Sequence, residues 1–166
     1  MRKELYKDIC ASLSRLYKLA DGSYIKLQEG DDVPEGAERL IKYIDLWNHN
    51  VEFIEQEEAW NRPAVFVEFT PIHWTAIHPG VEYRAEPVIN LHVVTDWSGS
   101  VSAESELRDE GLEVFDLLDE IHESLSCSSG ETYAELDLAE SLTNHNHEDV
   151  LESIESYQCV AFKSLK

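Results

Sequence analysis

Leu5, Ile9, Leu13, Leu16 and Leu19 recur at spacings of four, four, three and three, the period of one helical face. This predicts a helix over residues 2–20, stopped by Asp21-Gly22, with Lys18 in a last turn whose dipole favours a cation. The polar, turn-rich stretch 28–36, QEGDDVPEG, reads as a loop.

From Leu40 onward the pattern becomes that of strands. Ile41 to Trp47 is a short β-rich run, and the acidic stretch 55–58 then leads to Arg62-Pro63. Ala64 to Phe69 places Val65, Val67 and Phe69 on one face and is the clearest strand of the chain. The run continues through Ile72 to Ile77 towards a turn at His78-Pro79-Gly80. A return strand from Tyr83 to Thr95 alternates Ile89, Leu91 and Val93 against Asn90 and His92. Together these runs predict a long antiparallel hairpin. Pro71, Pro79 and Pro87 cannot donate to a ladder, so its outer end should be irregular or an edge.

A second helix follows Ser98-Gly99-Ser100. Its stripe runs Leu107, Gly111, Val114, Leu118, Ile121 and Leu125, widened by Phe115 and Leu117. Glu104 and Glu106 fall in its first turn, and Ser128-Ser129-Gly130 ends it. Two alternating runs close the chain, Ala134-Leu136-Leu138 and Ile154 to Phe162, with a polar loop at 144–149 between them. The order α-β-β-β-α-β-β predicts a single α+β domain over residues 1–166. One mostly antiparallel sheet with both helices packed on one face would satisfy it.

Composition supports a folded chain: 43% of residues are hydrophobic and 10% aromatic, too apolar for a disordered acidic segment. No apolar run approaches the roughly 20 residues a bilayer needs, and the N-terminus lacks a signal-peptide pattern. The expectation is a cytoplasmic protein. Cys10, Cys127 and Cys159 are widely separated and read as reduced structural residues rather than a disulfide or zinc set.

The net charge of −21 is unevenly spread. Residues 1–20 carry five bases against Glu4 and Asp8, a net of +3. Residues 103–166 carry seventeen acids against Arg108, Lys163 and Lys166, a net of −14. Such a surface repels phosphate backbones, which argues against direct nucleic-acid binding and for basic protein partners.

Candidate chemistry is sparse. His145 and His147, with Glu148 and Asp149, could hold a divalent metal, although Asn, His and Asp are also what a solvated turn prefers. His73, His78 and His92 could converge with Glu68 if the hairpin pairs as expected, against ordinary half-exposed sheet histidines. No nucleophile elbow, dinucleotide fingerprint or phosphate-binding loop is present. No cofactor, metal or catalytic residue is therefore assigned, and the chain reads as non-enzymatic. The acids of the second helix, Glu113, Asp116 and Glu120 among them, form either a solvated face or a docking surface for a basic partner. Trp47, Trp60, Trp74 and Trp97 lie at or near strand ends, and Trp60 and Trp74 are candidates for interface contact.

An amphipathic N-terminal helix leads to the strand Ile41 to Trp47. An acidic stretch then ends in Arg62-Pro63-Ala64-Val65-Phe66-Val67-Glu68-Phe69, and a long hairpin, a helix and a terminal strand pair follow. In this order the chain resembles the tail terminator (tail-completion, or neck) proteins of long-tailed phages and prophages. The resemblance implies a non-enzymatic virion assembly protein. Such a protein forms a ring, typically hexameric, that caps the tail tube and joins it to the head connector. Its partners would be copies of itself, tail-tube protein and head-connector protein, in the bacterial cytoplasm and then the virion. The hairpin would make the inter-subunit contacts through Trp74, Ile77, His78, Val81 and Tyr83. The alternative is an acidic interaction module, an inhibitor or DNA mimic, binding a basic partner through Glu113, Asp116 and Glu120.

Overall fold

The computed structural model describes residues 1–48, 60–97, 99, 102–144 and 150–165. The fold is α+β, with two helices and ten strands among the described residues. Helix α1 is Arg2–Leu13, seven residues shorter at its C-terminal end than the leucine period predicts. Ser14 turns its hydroxyl back onto the Cys10 carbonyl, and the chain then enters strand β1, Leu16–Lys18. Asp21-Gly22 is the turn of a small hairpin to β2, Tyr24–Lys26, with Gly22 at φ +86° and the Asp21 carboxylate accepting the Ser23 N–H. Asp-Gly is a hairpin signal as much as a helix stop, and Tyr17, Tyr24 and Ile25 suit strands. Leu13 and Leu16 remain buried because the reversal returns Leu16 to the same core. Strand β3, Glu38–Arg39, completes a three-stranded sheet in the order β2-β1-β3. The stretch 28–36 has no helix or strand, as its composition predicts.

The main sheet contains β4 (Tyr43–Leu46), β5 (Ala64–Phe69), β6 (Thr75–His78), β7 (Glu82–Ala85), β8 (Val88–Asp96), β9 (Tyr133–Asn144) and β10 (Val150–Ser164). Among the described residues its one parallel pairing is β4 with β5. The long hairpin is present: β5 pairs with β8 in its inner half and β6 with β7 in its outer half. Against β10, β8 and β7 act as one strand interrupted at Glu86-Pro87, opposite 150–158 and then 161–164. Strand β9 covers the other edge of β10. Where the register shifts on β9, Glu135 adopts φ +58°, a bulge conformation.

Helix α2 is Arg108–Leu125, so Glu104 and Glu106 precede it, and Asp109 and Glu110 supply its first-turn acids. It ends before Ser126 rather than at Ser128-Ser129-Gly130. Lys26 of β2 reaches the Ser124 carbonyl at 2.8 Å, which sets a cation at the C-terminal end of α2. Its buried line is Leu117, Ile121, Ser124 and Leu125, while Leu107, Leu112 and Phe115 are exposed. The predicted stripe was thus rotated: Leu117 lies at its centre and Phe115 outside it.

Both helices pack on one face of the main sheet. Leu5, Ile9 and Leu13 of α1 join Leu117, Ile121 and Leu125 of α2 over Val65, Val67, Ile89, Leu91, Val93, Tyr157 and Cys159. Fully burying each such aliphatic side chain contributes roughly 1.5–3 kcal/mol. The Glu4 carboxylate accepts the Glu131 and Thr132 N–H groups and the Thr132 hydroxyl, fixing the start of β9 to α1. That contact explains Gly130, where a Cβ would sit 2.5 Å from Glu4 Oε1.

Candidate functional site

The opposite face of the main sheet carries a smaller apolar group, Ala64, Phe66, Val94 and Val150, with Trp47 and Trp60 packed on it. Strand alternation sends Glu68, Asn90 and His92 to this face, since β5 pairs Phe66 with His92 and Glu68 with Asn90. The β10 register adds Glu152 and Ser156, and β9 adds Asn144 opposite Glu152. His92 is 5% exposed and Glu152 2%.

These side chains form one hydrogen-bonded chain. Ser156 donates to Asn90 Oδ1 at 2.8 Å, and Asn90 donates to Glu68 Oε2 at 2.7 Å. His92 Nε2 lies 3.3 Å from Glu68 Oε2, and its Nδ1 lies 2.7 Å from Glu152 Oε1. Asn144 donates to Glu152 Oε2 at 2.6 Å. The Trp47 ring stacks on the imidazole at 3.8 Å and 5°. A neutral imidazole offers one N–H, so holding both carboxylates calls for a second proton on the ring or one on a carboxyl.

Of the three histidines that the hairpin could have brought to Glu68, His92 alone meets it, buried rather than half-exposed, and Glu152 joins them. His73 and His78 do not join them: His78 pairs with Glu82 at 2.9 Å, and His73 lines a cleft with Thr75 and Arg84. A general base must reach a substrate proton, whereas both His92 nitrogens face carboxylates and one ring face is covered by Trp47. The arrangement suits a clamp across β5, β8, β9 and β10. Among the described residues, no group of three or more His, Cys, Asp or Glu is placed to hold a metal ion. The candidate at His145, His147, Glu148 and Asp149 lies outside the described residues.

At the outer end of the hairpin, β6 is an edge strand exposed along its whole length. Ile77, His78 and Val81 are exposed, while Trp74 and Tyr83 are half-buried. The Leu165 N–H bonds to the Val81 carbonyl at 2.8 Å, which brings exposed Leu165 beside the hairpin tip, while exposed Phe162 lies opposite Arg84 further along β7. The tip thus carries the exposed apolar side chains Ile77 and Val81 beside a strand edge that is unpaired among the described residues.

On α2, Glu113 and Asp116 are exposed and Glu120 is half-buried. Glu113 pairs with Lys18 at 2.9 Å, and this hydrogen bond raises the Lys18 pKa. Burial, and then the charges of Glu123, Asp119 and Asp116, push the Glu120 carboxyl above its ordinary value. Among the four tryptophans, Trp97 is exposed and Trp60 stacks on Tyr43 over Phe66. Cys10, Cys127 and Cys159 are free thiols, and burial pushes Cys159 up to about 11.

Glu152 and Trp47 were missed as members of the histidine cluster. Alternation along 150–158 marks a two-faced strand, but the pairing of Glu152 with Val94 depends on register, which no local signal in β10 specifies. No described helix is long and apolar enough to cross a membrane. No protein-family model matches the chain, and no curated protein matches it.

Proposed function

We propose that the protein is a non-enzymatic assembly subunit of the tail-terminator type, which forms a ring through its hairpin and joins a phage tail tube to the head connector. The observation that supports this reading is the outer hairpin. An exposed edge strand, β6, runs into a tip carrying exposed Ile77 and Val81, with exposed Leu165 bonded beside it. Unpaired edges are templates for another chain unless they are blunted, and apolar surface at such an edge marks an interaction site. The resemblance in element order supplies the identity of the assembly. The net charge of −21 favours protein partners over nucleic acid, with the bacterial cytoplasm and the virion as its setting.

Sedimentation velocity at rising concentration, alone and with a tail-tube protein, tests the reading. The expected result is a boundary heavier than the monomer, grown by concentration or by the partner. A strict monomer under both conditions would contradict it.

A further inference from the structure

A second surface lies on the helical side, away from the hairpin tip and independent of the ring reading. Between α2 and the β9–β10 pair is a cleft of about 230 Å³, whose lining includes Phe115, Leu118, Leu138, His122, Ser141 and Glu155. Glu155 is 5% exposed and lines the cleft from the helix-facing side of β10, beside the Tyr157 position that packs in the core. The Ser141 hydroxyl donates to Glu155 Oε2. Among the described residues, no lysine or arginine pairs with this carboxylate. His122, Asp119 and Tyr157 are charged or titratable groups that face it, and burial raises its pKa.

Phe115 is 57% exposed at the mouth of the cleft, and Leu112, one turn earlier on α2, is exposed as well. Acids surround them: Asp116, Asp119 and Glu123 lie on the same helix. An exposed aromatic within an acidic rim has the composition of an interface anchor rather than of a solvated helix face.

We propose that this cleft is a docking site for a lysine or arginine side chain carried on an apolar stretch of a partner protein. The chemistry is complementary at each level. A buried carboxylate without a cation is costly, and an inserted ammonium or guanidinium offsets that cost with charge-assisted hydrogen bonds. Leu118 and Leu138 accept the aliphatic stem of such a side chain, and Phe115 and Leu112 accept its apolar neighbours. The volume is below the roughly 300–1,000 Å³ of small-molecule sites, which favours one side chain over a free metabolite. The acidic segment around the cleft steers a basic partner towards it.

A fluorescent peptide with one central arginine flanked by leucines is the probe, with its citrulline counterpart as the neutral control. The expected result is saturable, salt-sensitive anisotropy for the arginine peptide and far weaker binding of the citrulline peptide. Glu155→Gln keeps an acceptor for Ser141 and should weaken the arginine peptide by about thirtyfold or more, the effect of losing one partner of a buried charge pair. Phe115→Ser should weaken both peptides. Amide shifts on titration of the folded wild type should centre on residues 115, 118, 138 and 155. Absence of saturable binding, equal binding of the two peptides, or unchanged binding by Glu155→Gln would overturn the proposal. Loss of self-association in Glu155→Gln would place a second copy of the chain in the cleft and overturn the partner assignment, while leaving the hairpin reading to its own test.

Discussion

Glu152 and Glu155 are three positions apart on β10 and project to opposite faces, and both are buried. Glu152 faces His92 and Asn144, whereas the donor to Glu155 is the Ser141 hydroxyl. The difference has a consequence for pH. Burial raises the Glu155 pKa above its ordinary 4.5, so the folded chain holds this proton more tightly than the unfolded chain does. A raised value contributes stability that is complete below the ordinary value and lost as pH rises through the folded one. Glu155→Gln removes the charge and keeps an acceptor for Ser141. Its melting temperature should exceed that of the wild type at neutral pH, and the gap should close as pH falls towards 4.5. Parallel curves across that range, measured by thermal unfolding, would contradict the assignment. Sequence alternation was enough to show that β10 has two faces. It could not show that both bury a carboxylate, because burial depends on Trp47 and α2, elements distant in the chain.

Among the elements, the hairpin and the terminal strand pair were legible because each carries its own period of two and turn residues at its end. Ala64–Phe69 and Val88–Asp96 pair as their alternation predicts. The prolines at 71, 79 and 87 lie in or beside breaks of the ladder. Helix α1 was overextended because Leu16 and Leu19 continue a helical spacing by coincidence, while Asp21-Gly22 closes a β-turn instead. The parallel pairing of β4 with β5 was illegible, since it joins strands separated by the acidic stretch 55–58 and has no local signature. The polar clamp belongs to this scale too, because it joins four strands and takes its cover from the residue after β4. His92→Ala removes the partner of Glu152 Oε1 while Asn144 still holds Oε2, and should cost about 1–3 kcal/mol. The double variant His92→Leu/Glu152→Leu should recover more than half of that loss, since replacing both partners of a buried hydrogen bond by apolar groups is often near neutral. Denaturant midpoints at constant slope measure both. A double variant as unstable as the single one would show that the network contributes more than pairing.

At the scale of the molecule, charge and exposed surface divide the chain into regions of different use. The basic segment 1–20 and the acidic region 103–166 share one core, with Lys18 of β1 and Glu113 of α2 as a direct pair between them. Exposed apolar residues include Ile77 and Val81 at the hairpin tip and Leu112 and Phe115 on α2, besides single positions such as Val33, Leu46 and Trp97. Assembly through the hairpin can be separated from folding by one double variant. Ile77→Asp/Val81→Asp alters two exposed side chains, so its unfolding free energy should stay within about 0.5 kcal/mol of the wild type, as for other surface substitutions. In sedimentation velocity at matched high concentration, the wild type should show the assembled boundary and the variant only the monomer. A variant that assembles as the wild type does, with its fold intact, would contradict assembly through the hairpin.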